Sequence, residues 1–66
     1  MKLPTAGKIL AALEAAGHSR TVDTVYSWTA GRVNCPLWAV LAIADGLDLD
    51  MEKLVRELHR RWAAKH

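Results

Sequence analysis

The chain has 66 residues, of which 52% are hydrophobic, a net charge of +2 and a single cysteine. A chain this short makes one domain spanning residues 1–66 and removes only about 60% of its extended surface from water. No run reaches the roughly 18 apolar residues of a membrane span. The lone cysteine rules out an internal disulfide and fits a reducing cytoplasm. Lys2 and Lys8 lead only into a short AALEAAG segment that carries Glu14, which is unlike a secretory signal. Ala and Leu dominate and Pro and Gly are few, so an all-α domain of four to five helices is expected.

After a short arm at Met1–Pro4, Thr5 is a competent N-cap for a helix to about Ala16, with Gly17 as its stop. Ile9, Leu10 and Leu13 form the apolar stripe, extended by Ala12 and Ala16; Lys8 and Glu14 face out. His18-Ser19-Arg20 is a turn. The stretch SRTVDTVYSWTAG then reads as a short helix within 19–30, capped by Ser19 or Thr21 and ended by a left-handed Gly31. Val22, Val25 and Trp28 fall three apart and are expected to be buried together. The remaining positions are mostly small or hydrogen-bonding, and the Ser, Thr and Val content makes intrinsic helix propensity poor. Such a helix, held by an apolar anchor, suits a DNA major groove.

Arg32, Val33 and Asn34 form a loop. Pro36 is expected as the first residue of the next helix, capped by Asn34 or Cys35, with Leu37, Val40, Leu41 and Ala44 inward and Trp38 partly exposed. Gly46 is expected to end it. Leu47 and Leu49 pin the connector into the core, and Asp48 or Asp50 caps the last helix. That helix, about Met51 to Ala64, repeats Met51, Leu54, Val55, Leu58 and Trp62 in the clearest amphipathic pattern of the chain.

Charge is sorted along the sequence. Residues 1–34 carry +2, residues 35–52 carry −4 with no cation, and residues 53–66 carry +4. A basic end can contact phosphate. For Arg60, Arg61 and Lys65 the plainer alternative is that cations in a last helical turn oppose the helix dipole.

Enzyme chemistry, cofactors, metals, small-molecule substrates and membrane partners are not expected. His18, His59 and His66 share no metal-site spacing with Cys35. Cys35 has no activating base, Ser19 lacks a base and orienter, and no glycine-rich phosphate loop is present. The acids at 45, 48, 50 and 52 lack calcium-loop spacing.

The run GRVNCPLWAVLAIADGLDLDMEKL resembles the C-terminal part of lambda repressor and Cro-like helix-turn-helix domains, on Trp28, Gly31, Arg32, Pro36, Leu41, Ala44, Leu47, Leu49 and Leu54 in order. Upstream, AALEAAGH and TVYSW are similar to the helix, turn glycine and recognition helix of the same motif. Two features depart from it. Gly17 and Val25 are eight residues apart, longer than the family spacing. Only one helix precedes Gly17, so the last helix, of the same chain or of a partner, is expected to cover the core left open.

The resemblance implies a sequence-specific DNA-binding regulator, a homodimeric repressor on an inverted-repeat operator, of the small phage or mobile-element kind that includes regulators encoded beside anti-CRISPR genes. In that docking geometry Arg20 could pair with guanine. Thr21, Thr24, Tyr26 and Ser27 could meet bases, methyls or phosphates, and Asp23 could accept from cytosine or cap the helix. Arg32, Asn34 and Lys8 could position the backbone. Leu54, Val55, Leu58 and Trp62 are the expected dimer surface, unless the core of one chain uses them. The alternative is a protein-interaction module, antitoxin-like or an adaptor, docking through Trp38 and Trp62.

Overall fold

Thr5, Thr21 and Asp50 set the starts of three helices. The computed structural model, which describes residues 1–66, places α1 at Ala6–Ala15, α2 at Val22–Thr29, α3 at Leu37–Gly46 and α4 at Met51–Ala63, with no strand. Thr5 Oγ1 accepts from Lys8 N at 3.4 Å, Thr21 Oγ1 from Thr24 N at 3.3 Å and Asp50 Oδ1 from Lys53 N at 3.1 Å. Each such cap contributes about 1 kcal/mol by satisfying an orphan first-turn donor. α3 starts differently from expectation. Pro36 is itself the extended cap residue (φ −67°, ψ 154°), with no side-chain hydrogen bond, and the helix opens at Leu37.

α1 and α2 both end as the glycines predict. Gly17 and Gly31 sit at φ +86° and +79°. His18 N then donates to Leu13 O and Arg32 N to Ser27 O, each at 2.9 Å, closing two Schellman turns. α3 corrects the expectation for Gly46, which is the last helical residue rather than the stop. The left-handed position falls on Asp48 (φ +52°), and Leu49 N donates to Ala44 O at 2.9 Å. Gly46 is instead a packing glycine: a Cβ there would stand 2.8 Å from Ala12 Cβ and 3.2 Å from Ala12 Cα on α1.

A direct consequence concerns Gly46→Ala, where up to about 1 kcal/mol of gained helix propensity opposes an overpacking cost of about 1–3 kcal/mol. A net loss of stability is expected in urea unfolding. The double variant Ala12→Gly/Gly46→Ala should lose less than the sum of the two single changes, because the two positions share one contact.

α1 and α2 pack as a pair, α3 lies on α1, and α4 closes over α3 and α2. The chain's own α4 therefore covers the core. Ile9 and Leu13 meet Val25 and Trp28, then Ala39, Val40 and Ile43, then Leu54 and Leu58. Leu47 and Leu49 pack against this cluster as the alternation implies. No helix is long and apolar enough to cross a membrane.

Three expected faces are corrected. Val22 is 42% exposed, because the Thr21 cap puts it at the first helical position, outside the reach of the core. Leu37 and Leu41 are 64% and 42% exposed, while Ala39, Ala42 and Ile43 join Val40 and Ala44 inside. α3 is apolar nearly all round, so its period does not choose a face. The close α1 crossing at Ala12 and Gly46 selects the side lined by small alanines. Finally, Leu54 and Leu58 are 1% and 5% exposed, so the core of one chain uses them and they are not a dimer surface.

Candidate nucleic-acid interface

α2 is held from behind and at both ends. Val25 is fully buried and Trp28 is 5% exposed. Trp28 meets Trp38 edge-on, with centroids 6.0 Å apart, so α2 is tied to α3 by an aromatic pair. At its far end a Cβ on Gly31 would overlap the Arg61 carbonyl group, reaching its carbon at 2.6 Å and Trp62 N at 3.1 Å. Only glycine lets the end of α2 rest on the backbone of α4. Arg61 Nη1 donates to Thr29 O at 3.0 Å, supplying a partner for a carbonyl in the last turn of α2. What remains outward is Val22, Asp23 and Tyr26, all exposed and neighbours at helical spacing.

The eight residues expected to contact DNA fall into four groups, Thr21 belonging to two of them. Arg20 and Thr21 lie before the helix, since α2 begins at Val22 and not at Ser19. The Arg20 guanidinium lies 4.7 Å over the Trp38 ring and donates to Ser19 O at 2.8 Å. His18 packs on the same Trp38 ring system at 4.6 Å. Trp38 therefore orders the α1–α2 turn, a role the sequence did not announce. Thr21, Thr24 and Ser27 spend hydroxyls within the helix: Thr21 and Thr24 oxygens are 3.1 Å apart, and Ser27 Oγ donates to Thr24 O at 2.6 Å. Asp23 and Tyr26 face out freely, Asp23 in the first turn where a carboxylate suits the helix dipole. Arg32 and Asn34 are exposed beyond the end of α2. Lys8 is exposed on the first half of α1.

The structure adds the end of α4 to this neighbourhood. His66 Nε2 lies 3.3 Å from Arg32 O, and Arg61 bonds Thr29. Arg32, Arg61 and His66 thus meet at the C-terminal end of α2, although Arg32 is far from the other two in sequence. Trp62 is half-buried and stacks on His66 at 4.9 Å. No helical periodicity could announce this cluster; only the α2–α4 contact creates it.

Glu57 organises the cluster. Its side chain is 8% exposed and accepts from Arg60 and from Arg61 Nε, the latter at 2.8 Å, while the Met1 amino group lies 3.4 Å away. The hydrogen bond from Arg60, then that from Arg61, holds its carboxyl at about 2, below an ordinary 4.5. A depressed folded-state pKa contributes stability that is fully present above about pH 4.5 and lost as pH falls through about 2. Thermal melts should therefore drop across that window. Glu57→Gln should lower the melting temperature at neutral pH and flatten the fall; an unchanged acid profile would remove Glu57 from its cause. Cys35 is half-buried, and burial pushes its thiol up to about 12, so it is a poor thiolate nucleophile.

No family model matches this chain, and neither a curated protein nor a solved structure is found similar to it.

Proposed function

We propose that the chain is a sequence-specific DNA-binding transcriptional regulator of helix-turn-helix type. It acts as a homodimeric repressor on an inverted-repeat operator. α1, its turn and α2 form the DNA-facing unit, and the kind of system is a phage or mobile-element operon. The observation that carries this reading is the state of α2. Its inner side is buried on Val25 and Trp28, its ends are fixed by Thr21 and Gly31, and no other element covers its outer side. A recognition helix needs that combination, because base edges are read only by side chains held at a fixed register in the groove.

Around that outer side, Arg20 is the base-reading candidate, pairing with guanine O6 and N7. Val22 and Tyr26 offer apolar surface to thymine methyls. Asp23 accepts from cytosine N4. Arg32, Asn34 and the Arg60–Arg61 end of α4 contact phosphates and set orientation. Thr21, Thr24 and Ser27 act mainly through the helix they brace. The test is selection of bound sequences from a random duplex pool at about 0.15 M salt, where non-specific binding is already weak. Enrichment of an inverted repeat, with half-sites about one helical turn apart, is the expected result. A pool that stays random sinks the DNA reading.

The second reading is a protein-interaction module, supported by the exposed Leu37 and Leu41. Trp38 and Trp62, its first candidates, are already engaged by His18, Arg20 and His66. Salt separates the two readings: phosphate binding weakens steeply as salt rises, and an interface centred on Leu37 and Leu41 weakens far less.

A further inference from the structure

Large apolar side chains lie exposed where α3 and α4 meet: Leu37 at 64%, Leu41 at 42% and Val55 at 39%. Leu37 and Leu41 are one turn apart on α3 and share a face. Beside them runs a groove of about 390 Å³ lined by Leu37, Val55 and His59 among others, and by no residue of α2. The groove joins the first turn of α3 to the middle of α4, so the two helices run back on each other through Leu47–Asp50.

The charges round this strip are sorted by end. Asp45, Asp48, Asp50 and Glu52 stand exposed at the α3–α4 turn with a single cation, Lys53, so this end is net acidic. Arg56 and His59 are exposed on the turns of α4 further on. The Arg56–Glu52 pair at 2.8 Å lies at the surface, with both side chains over 70% exposed, so little is lost by exchanging its partners. A strip with an acidic end, an apolar middle and a basic end is complementary to itself after a two-fold rotation. That is the requirement of an isologous interface.

We propose that the occupant of this face is a second copy of the chain. It packs Leu37, Leu41 and Val55 of each copy together, with the acidic turn of one against the Arg56 and His59 region of the other. The dimer surface thus keeps Val55 from α4 and replaces the buried Leu54 and Leu58 by the outer face of α3. An interface at the small end of the specific range, about 600 Å² per copy, would cover about a seventh of the 4208 Å² surface. It would leave α2 uncovered. The proposal rests on the homodimer part of the function above, and its test omits DNA so that the two can fail separately.

The test is sedimentation velocity of the whole chain from about 1 to about 200 µM, a range that brackets micromolar dissociation. A monomer–dimer equilibrium is expected, weakening between low and high salt. Leu41→Asp should raise the dissociation constant at least about 100-fold, because each dimer buries the new carboxylate twice. Leu37→Asp is the second variant. It lies at the first position of α3, where an acid favours the helix, so folding is retained and circular dichroism checks it. A chain monomeric at every concentration overturns the proposal and leaves this face to a different protein. A dimer that survives both folded variants overturns the surface. A folded variant that stays monomeric across the range upholds the surface.

Discussion

Gly31→Ala is expected to be among the most damaging single substitutions in this chain. Two costs combine. Alanine at φ +79° carries left-handed strain of about 1–2 kcal/mol. Its Cβ would also overlap the Arg61 carbonyl group, and main chain inside a helix cannot swing aside as a flexible side chain can. Overpacking of that kind costs about 1–3 kcal/mol. A combined loss of about 3 kcal/mol lowers the melting temperature of a domain this size by roughly 10–25 °C. Gly17→Ala is the control. It has a similar φ of +86° but nothing near its Cβ, so it should show the strain alone, about 1 kcal/mol or slightly more. Equal losses at the two glycines would mean that the seating of α2 on α4 has been misjudged.

Arg20 is expected to carry the largest effect on DNA binding. A bidentate arginine–guanine contact gives about 1–3 kcal/mol of discrimination, and a two-fold complex contains it twice. Arg20→Ala should therefore weaken binding to the selected operator by roughly 30-fold to 10⁴-fold and relax one base position in each half-site. Arg20→Lys should rescue little, because an ammonium neither forks onto a guanine edge nor stacks flat on Trp38. Arg32→Ala should behave differently: a uniform loss across all sequences, with a shallower salt slope. Binding assays on the operator and on a scrambled duplex separate these patterns. An Arg20→Ala protein that loses affinity equally on both duplexes would reduce Arg20 to a phosphate contact.

Much of this molecule's local structure is legible in its sequence. Thr5 was readable as a cap, Thr21 and Asp50 each as one of two candidate caps, and Gly17 and Gly31 as stops. All five act through hydrogen bonds or dihedral angles within a few residues. The period of α4 likewise put Leu54 and Leu58 on one apolar face, because the other face is charged, but it did not say whether the chain's own core or a partner covers them. Of the proposed interface, the exposure of Arg20, Asp23, Tyr26, Arg32 and Asn34 was legible. The engagement of Thr21, Thr24 and Ser27 with their own helix was harder to see, since a short hydroxyl side chain can serve a base or its own backbone equally well.

The sequence by itself determined an all-helical chain of four to five helices, most helix ends within a residue or two, and a short polar α2 anchored by Val25 and Trp28, whose start it left open between Ser19 and Thr21. Those properties follow from interactions three or four residues apart, which sequence order states directly. Only the tertiary structure decided which side of α3 is buried. It also gave Gly46 its role against Ala12, gathered Arg32 with Arg61 and His66, and left Leu37 and Leu41 outside while Leu54 and Leu58 filled the core. An all-round apolar helix and a glycine both leave several choices open locally. The shape of the neighbouring helix closes them, because a well-packed interior admits only the arrangement in which backbones and side chains fit without overlap.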